Sequence, residues 1–353
     1  VANWIALILA EKCGVEHPEV RAAIAKTHAL YSAWIREGAL PYGYHQPLEN
    51  LLNNNGTSGS VAVASRLLGN REGASFYGKS AAASSDEVLV GHSGPFFNIF
   101  WSGIGAGVIG PHTGAGYAHR IQWLRTLSRK PNGEFLYHGP TGGTTYRGLS
   151  STGTTLVNLC LGRAAIHVTG KDADTSLWVT GEEAKTIVAV ADDDPKKLDN
   201  DALLKKLGSW APKVRVQAAR ELGKRNADVL DRLLRMLKQG TWEEEVGACH
   251  AIGNLKAVKA IDALRERLCD RQEDKWVREQ AARALVAMGE PAKNCVPDML
   301  RVIVETEQND PHRFLDRALG GLVNQLIEDP LALEGCKELV YQAALCLLDY
   351  KHM

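Results

Sequence analysis

The fold is decided by the stretch Gly-His-Ser-Gly-Pro-Phe-Phe-Asn-Ile-Phe-Trp at residues 91–101. Ser93, followed two residues later by Pro95 and an aromatic run, predicts a capped helix start with proline in its first turn. A second aromatic and glycine pattern follows, from Trp123 to Gly-Glu-Phe at 133–135. Together they predict paired helices joined by glycine turns, the pattern expected of helical hairpins arranged around a cavity.

Glycine content divides the 353 residues into two parts. Residues 1–190 hold 25 of the 34 glycines, so the first part is rich in turns and the second is continuous helix. The segment Asp-Asp-Asp-Pro-Lys-Lys at 192–197 marks the boundary between the two parts, because proline and a charge run disfavour a continuous helix. We predict an all-α chain with domains at 1–190 and 201–353, joined by a linker at 191–200.

The second part repeats itself. Val-Arg-Val-Gln-Ala-Ala-Arg-Glu-Leu at 214–222 returns as Val-Arg-Glu-Gln-Ala-Ala-Arg-Ala-Leu at 277–285, and residues 244–252 keep the same register. The offsets of 30 and 33 residues leave room for two short helices and two turns in each repeat. This pattern resembles HEAT repeats, an α-solenoid whose concave surface binds other proteins.

The first part repeats more loosely, and strand signals are nearly absent. Only Glu-Phe-Leu-Tyr-His at 134–138 favours local β pairing. Helical periodicity and cap residues predict about four helix pairs. The predicted pairs are 1–11 with 17–37, 58–69 with 71–84, 94–108 with 113–128, and 151–168 with 181–190.

The aromatic and glycine turns resemble those of the α/α toroid of the terpenoid-cyclase and prenyltransferase superfamily. A wider set of motifs resembles a bacterial family, named for a domain of unknown function, in which a PDZ-like domain precedes an α/α toroid and HEAT repeats. The motifs are Ala-Leu-Pro-Tyr-Gly-Tyr-His at 39–45, Leu-Leu-Gly-Asn-Arg-Glu at 67–72, the stretch at 92–101, Gly-Pro at 110–111 with Gly-Tyr at 116–117, and Ser-Thr-Gly at 151–153.

The resemblance implies an architecture and no reaction. It implies a partial toroid at 1–190, with the PDZ-like domain and about two further helix pairs upstream of Val1. It also implies an exported, periplasmic setting, whereas seven scattered cysteines without a Cys-x-x-Cys pair permit a cytoplasm. The compartment therefore stays open. We interpret the start at Val1 as the latter part of a longer polypeptide.

Bulk composition excludes several classes of function. The 41 basic and 41 acidic residues cancel, so no electrostatic argument favours nucleic acid or an anionic membrane. No apolar run approaches the roughly 20 residues that cross a bilayer. The acidic triplet at 192–194 fits neither Asp-x-Asp-Asp nor Asp-Asp-x-x-Asp, the motifs of terpenoid cyclases.

No metal and no cofactor is predicted. Cys249 and His250 lie inside a repeat helix among alanines, where packing explains them better than zinc. The pair Cys160 and His167 is a weak signal. The loop histidines 45, 92, 112, 119 and 138 match no ligand spacing. A glycosidase needs two carboxylates flanking the bond, and the loops from 40 to 150 offer only Glu49, Glu72, Asp86, Glu87 and Glu134.

A polysaccharide lyase fits the residue types better, since it needs a Tyr or His base and an Asn, His or Arg to neutralise a substrate carboxylate. The candidate catalytic residues are His92, Tyr117 and Arg147. The candidate ligand-binding residues are His45, His92, Asn98, Trp101, Tyr117, His138 and Tyr146. A structural alternative stays open: His92 and Asn98 would satisfy backbone groups at a helix entrance, and Trp101, Tyr117 and Tyr146 would be core aromatics.

Two functions follow from this pattern. The leading hypothesis is a scaffold whose solenoid binds a protein partner or an upstream part of the same polypeptide, with a ligand pocket in the toroid. The alternative is a carbohydrate-active, lyase-like enzyme acting on a glycan in that pocket. Sequence alone leaves open whether the chain is an enzyme.

Overall fold

The computed structural model describes residues 1–41, 46–91, 95–136, 150–163, 175–305, 313–328 and 335–348. Within these ranges the chain is all-helical and forms no β-strand, which confirms the predicted fold class. Isolated β-bridges pair Arg129 with Phe135 and Leu136 with Ser150. Phe135 and Leu136 of the β-prone stretch therefore form isolated bridges, and Tyr137 and His138 lie outside the described residues.

The chain packs as two units. The first comprises Val1–Asp192 together with Ala211–Lys213, and the second comprises Asp193–Trp210 together with Val214–Met353. No helix in the described ranges is long and apolar enough to cross a membrane.

Helices of the first unit follow one another as short pairs. They are α1 (Ala2–Lys12), α2 (Pro18–Ala33), α3 (Thr57–Leu67), α4 (Arg71–Ala82), α5 (Pro95–Phe97, Asn98–Ser102 and Gly103–Val108), α6 (Pro111–Arg120), α7 (Gln122–Ser128), α8 (Thr152–Cys160) and α9 (Gly181–Val188). Several bounds differ from the sequence prediction, and the helix predicted at 151–168 ends at Cys160, followed by a 3-10 turn at Leu161–Arg163. α2 stops before Arg36 and Gly38, whose φ angles of 78° and 140° are incompatible with a helix. The helix predicted at 113–128 is interrupted at Ile121.

Each repeat of the second unit contains two helices, a first helix and a second helix that carries the repeated sequence motif. Its helices are α10 (Asn200–Leu207), α11 (Pro212–Lys224), α12 (Leu230–Gln239), α13 (Trp242–Leu255), α14 (Ile261–Cys269), α15 (Lys275–Met288), α16 (Val296–Val304), α17 (Phe314–Leu326) and α18 (Lys337–Leu348). The three repeated motifs lie in α11, α13 and α15. Leu222, Ile252 and Leu285, which occupy one register position, are all fully buried in a shared core.

Local chemistry explains where these repeat helices begin. Thr241 caps α13 in a reciprocal capping box with Glu244, which satisfies two otherwise unpaired backbone donors. Asp274 caps α15 by accepting from the amide of Trp276 at 2.8 Å. Trp242 and Trp276 thus stand in the first turns of their helices.

Candidate ligand site around a π-helical segment

The fifth helix carries an irregular winding. α5 changes to π winding over Asn98–Ser102 and returns to α winding at Gly103. A π-turn widens the helix and alters its backbone bonding, and such turns occur frequently at functional sites. Two predicted site residues, Asn98 and Trp101, lie in this segment.

α3 approaches the π-helical segment with almost no space between the backbones. A Cβ atom on Gly59 would lie 2.5 Å from the carbonyl carbon of Trp101, and one on Gly56 would lie 2.7 Å from Trp101 Cβ. Gly56 also has a φ of 71°, which glycine adopts without strain. Glycines at these two positions therefore fix how deeply Trp101 sits against α3.

The side chain of Asn98 holds this segment in place. Its Nδ2 donates to the carbonyl oxygens of Val88 at 3.0 Å and Val90 at 2.8 Å. Its Oδ1 accepts from the amide of Gly56 at 2.7 Å and from Asn53 Nδ2 at 3.0 Å. Because an amide side chain has two donor hydrogens and two acceptor lone pairs, these bonds use its whole capacity.

Carbonyl groups of the π-helical segment are satisfied by side chains from other helices. The Tyr117 hydroxyl donates to the Asn98 carbonyl oxygen at 3.1 Å. Asn158 Nδ2 donates to the Ile99 carbonyl oxygen at 2.7 Å. These bonds matter because a buried carbonyl without a partner costs about as much free energy as a lost hydrogen bond.

A buried carboxylate, that of Glu87, is linked to the same segment through Asn53. Glu87 accepts from the amides of Leu52 at 2.9 Å and Asn53 at 2.7 Å, and Lys213 Nζ lies 2.7 Å from its Oε1. Burial raises the pKa of the Glu87 carboxyl, and the Lys213 ammonium group opposes that rise. Asn53 then donates to Ser102 Oγ at 2.6 Å. We call Asn53, Glu87, Asn98, Ser102 and Tyr117 the Asn98 network.

The structure brings some of the sequence-predicted site residues together. Asn98 and Tyr117 are both fully buried and joined by a hydrogen bond. Trp101 is half-buried, with its ring 4.9 Å from that of Phe100. The other candidates lie outside the described residues: His45, His92, His138, Tyr146 and Arg147.

The chemistry available to the two buried residues is limited by their partners. Burial raises the pKa of the Tyr117 hydroxyl well above its usual value, whereas a general base works best with a pKa near the working pH. Asn98 has no hydrogen-bonding capacity left for a ligand. Both side chains are positioned to hold the helix that carries Trp101.

Sequence reasoning missed most of the Asn98 network. Glu87 entered only as one of the few loop carboxylates, and Asn53 and Ser102 carried no signal in the pattern. Neither did Asn158, which bonds to the same segment from outside the network. One available signal was the placement of Glu87 directly before Val-Leu-Val at 88–90. A carboxylate next to an apolar run is often buried and paired.

Metal-ligating side chains are dispersed in the described part of the chain. No group of three or more His, Cys, Asp or Glu residues there could hold a metal ion. Cys249 lies fully buried in the core of the second unit, where burial raises its thiol pKa. Cys160 is exposed on α8.

Comparisons with known protein families match two different parts of the chain. Residues 1–170 match the family described as a domain of unknown function, DUF6288. Residues 200–286 and 240–314 match the model of HEAT repeats. The second unit contains HEAT repeats. Neither the search of curated proteins nor the search of solved structures finds a significant match.

These matches confirm the predicted repeats and the resemblance to a family whose domain has no known function. The DUF6288 match covers just under half of the chain and names no activity. The PDZ-like domain and the toroid stay predictions.

Proposed function

We propose that this chain is a scaffold that binds a protein partner through its HEAT repeats. The match of residues 200–314 to HEAT repeats carries this proposal, because stacked repeats form extended surfaces that bind other proteins. The shared core beneath α11, α13 and α15 supports it by holding the second helices in one register.

The charge pattern of the second helices indicates the chemistry of the partner. Arg220, His250 and Arg283 occupy the same register position in three successive repeats. Arg220 is exposed, and the other two are half-buried. Arg283 also pairs with Glu279 at 2.6 Å. A row of basic side chains fits an acidic segment of a partner, since complementary charge guides both encounter and register.

Binding of a fluorescent decaglutamate peptide to the chain tests this proposal. We expect Arg220→Glu to weaken binding by about threefold to tenfold, because one exposed charge interaction changes sign. The matched control is Arg235→Glu, which makes the same charge change at an exposed position on the first helix α12. The control is expected to bind like the wild type, and added salt should weaken every interaction.

Partner capture provides a second test with cellular proteins. The wild-type chain and its Arg235→Glu variant should retain a common set of proteins that the Arg220→Glu variant loses. A set retained equally by all three chains would contradict binding through the second helices. So would decaglutamate binding that is indifferent to Arg220.

For the first unit we propose a partial α/α toroid with a ligand pocket near Trp101. The successive helix pairs and the half-buried Trp101 support this proposal, and His45 and His92 are its further candidate contacts. Trp101→Ala should abolish glycan binding to the pocket without unfolding the unit. The lyase alternative predicts unsaturated-product absorbance with uronate polymers, lost on His92→Ala. If none of the polymers gave this absorbance, the lyase alternative would be wrong.

A further inference from the structure

One arginine occupies a core position of the first unit. On α7 the buried positions are Leu124, Arg125 and Ser128, whereas Trp123 and Leu127 are exposed. This spacing is that of the inward face of an amphipathic helix. Arg125 is only 9% exposed, so its guanidinium group takes a place normally filled by an apolar side chain.

Arg125 has no counter-charge among the described residues. Its Nη1 is shut off from solvent without any hydrogen-bond acceptor, and no ion pair reaches the guanidinium group from the part of the chain that the structure describes. Burial alone lowers the pKa of this guanidinium. Arg215 and Arg278 each also have one buried nitrogen without an acceptor. Both nevertheless donate to a carbonyl oxygen at 2.8 Å, Arg215 to that of Ser209 and Arg278 to that of Leu268. Arg125 differs from them because no hydrogen bond to another described residue holds its guanidinium group.

A buried charge persists in a stable fold when an opposite charge compensates it. The planar guanidinium presents five donors in a fork that matches the two oxygens of a carboxylate. It cannot escape the cost by releasing its proton under ordinary conditions. The missing partner of Arg125 is therefore an oxyanion, and a carboxylate fits its geometry best.

We propose that Arg125 anchors a carboxylate-binding subsite in the first unit, filled by a free acidic ligand. This subsite is distinct from the protein-binding surface of the HEAT repeats and does not depend on it. Two acidic residues of the first unit lie outside the described ranges, Asp172 and Asp174. They are the alternative source of the same carboxylate, so the experiment must distinguish them from a free ligand.

Thermal unfolding of the whole chain in acetate, succinate or glucuronate, at ionic strength held constant with chloride, tests the proposal. At concentrations above its Kd, an acid that binds should raise the unfolding midpoint of the wild type by about 3–5 °C for each tenfold increase in its concentration. Arg125→Met should abolish this rise. Arg129→Met is the matched control, since Arg129 is exposed four residues later, and should respond like the wild type.

Stability without added acid separates the two sources. Removing an uncompensated buried charge should leave the midpoint of Arg125→Met unchanged or raise it by about 2–4 °C. If Asp172 or Asp174 were the partner, Arg125→Met would melt much earlier, and Asp172→Asn or Asp174→Asn would have the same, non-additive effect. That result would overturn the proposal. A wild-type midpoint indifferent to all three acids would also overturn it.

Discussion

The two units reach a defined structure by different means. In the HEAT unit the same apolar positions recur every 30 or 33 residues and pack into one core. In the first unit the π-helical segment depends on single polar contacts between distant residues, such as Asn53 with Asn98, 45 residues apart. Repetition distributes stability over many similar contacts, whereas the Asn98 network concentrates it in a few irreplaceable ones.

The strongest test of this contrast is Asn98→Leu, which keeps the number and branching of the side-chain heavy atoms and removes every hydrogen bond of the amide. We expect a loss of about 4 kcal/mol or more in the free energy of unfolding, because several buried donors and acceptors lose their partners. Hydrogen exchange measured by mass spectrometry should show lost protection across α3 and α5 and none across α13 and α15.

The matched control for that variant is Asn254→Leu. Asn254 is exposed on α13 and donates only to the His250 carbonyl oxygen. A surface substitution of this kind should change the free energy of unfolding by no more than about 0.5 kcal/mol. Equal losses in the two variants would mean that the network holds no special share of the stability.

A large-to-small change in the HEAT core should have the next largest effect. Leu285→Ala removes a fully buried side chain and leaves a cavity, which costs about 3 kcal/mol. Protection should fall in α13 and α15 and persist in the first unit. Leu345→Ala removes the same atoms from a 67% exposed position of α18 and should cost little. Protection lost across both units would contradict their separate stabilisation.

Tyr117→Phe probes a single bond of the Asn98 network. The change leaves the buried Asn98 carbonyl oxygen without its donor at 3.1 Å, so we expect a loss of about 1.5 kcal/mol in urea unfolding. Tyr341→Phe, at a half-exposed position on α18, is the control. If both variants unfold at the wild-type urea concentration, the hydroxyl of Tyr117 contributes nothing to the π-helical segment.

The smallest effect concerns a break in the HEAT pattern. Glu245 occupies the register position that Arg215 and Arg278 hold in the neighbouring repeats. Burial, with the nearby Glu273 and Asp274 carboxylates, raises the pKa of Glu245 from 4.5 to about 7, against the opposing charge of Arg267. The folded state therefore binds more protons than the unfolded state between these values, and its stability falls as pH rises through them.

Glu245→Gln should remove that pH dependence. The variant should match the wild type below pH 4.5 and become more stable towards pH 7, by less than about 1 kcal/mol because solvent screens a partly exposed group. Glu243→Gln, two residues earlier on α13, should keep the wild-type slope. If the free energy of unfolding depended on pH in the same way for the wild type and Glu245→Gln from pH 4 to 8, the raised pKa of Glu245 would be contradicted.

The same contrast explains what the sequence could predict. The HEAT helices follow from periodicity, because each repeat carries its own copy of the apolar pattern and a cap such as Thr241 or Asp274. The helix pairs of the first unit follow from caps and glycine turns. The π winding at Asn98 does not, since it depends on donors from Tyr117 and Asn158 that only the folded chain brings together.

Candidate site residues illustrate the same limit. Polar and aromatic residue types at 91–101, with the Gly-Tyr motif at 116–117, identified Asn98, Trp101 and Tyr117 as candidates. They did not reveal that the Asn98 and Tyr117 side chains are occupied by internal bonds, nor that Arg125 lies buried without a counter-charge among the described residues. Residue type predicts what a side chain is able to do, and burial decides whether it is free to do it.

The π-turn at Asn98–Ser102 has a consequence for the tolerance of the chain to length changes. A π-turn holds one residue more than an α-turn, so it behaves as a one-residue insertion retained within a helix. The wider turn rotates less per residue, so it absorbs the extra residue and leaves the helix after Gly103 facing nearly the same way as a regular α-helix would. Deleting one residue there should therefore restore regular winding and keep Gly105 against Gly59, while changing which backbone groups are left for the side chains of Tyr117 and Asn158 to bind.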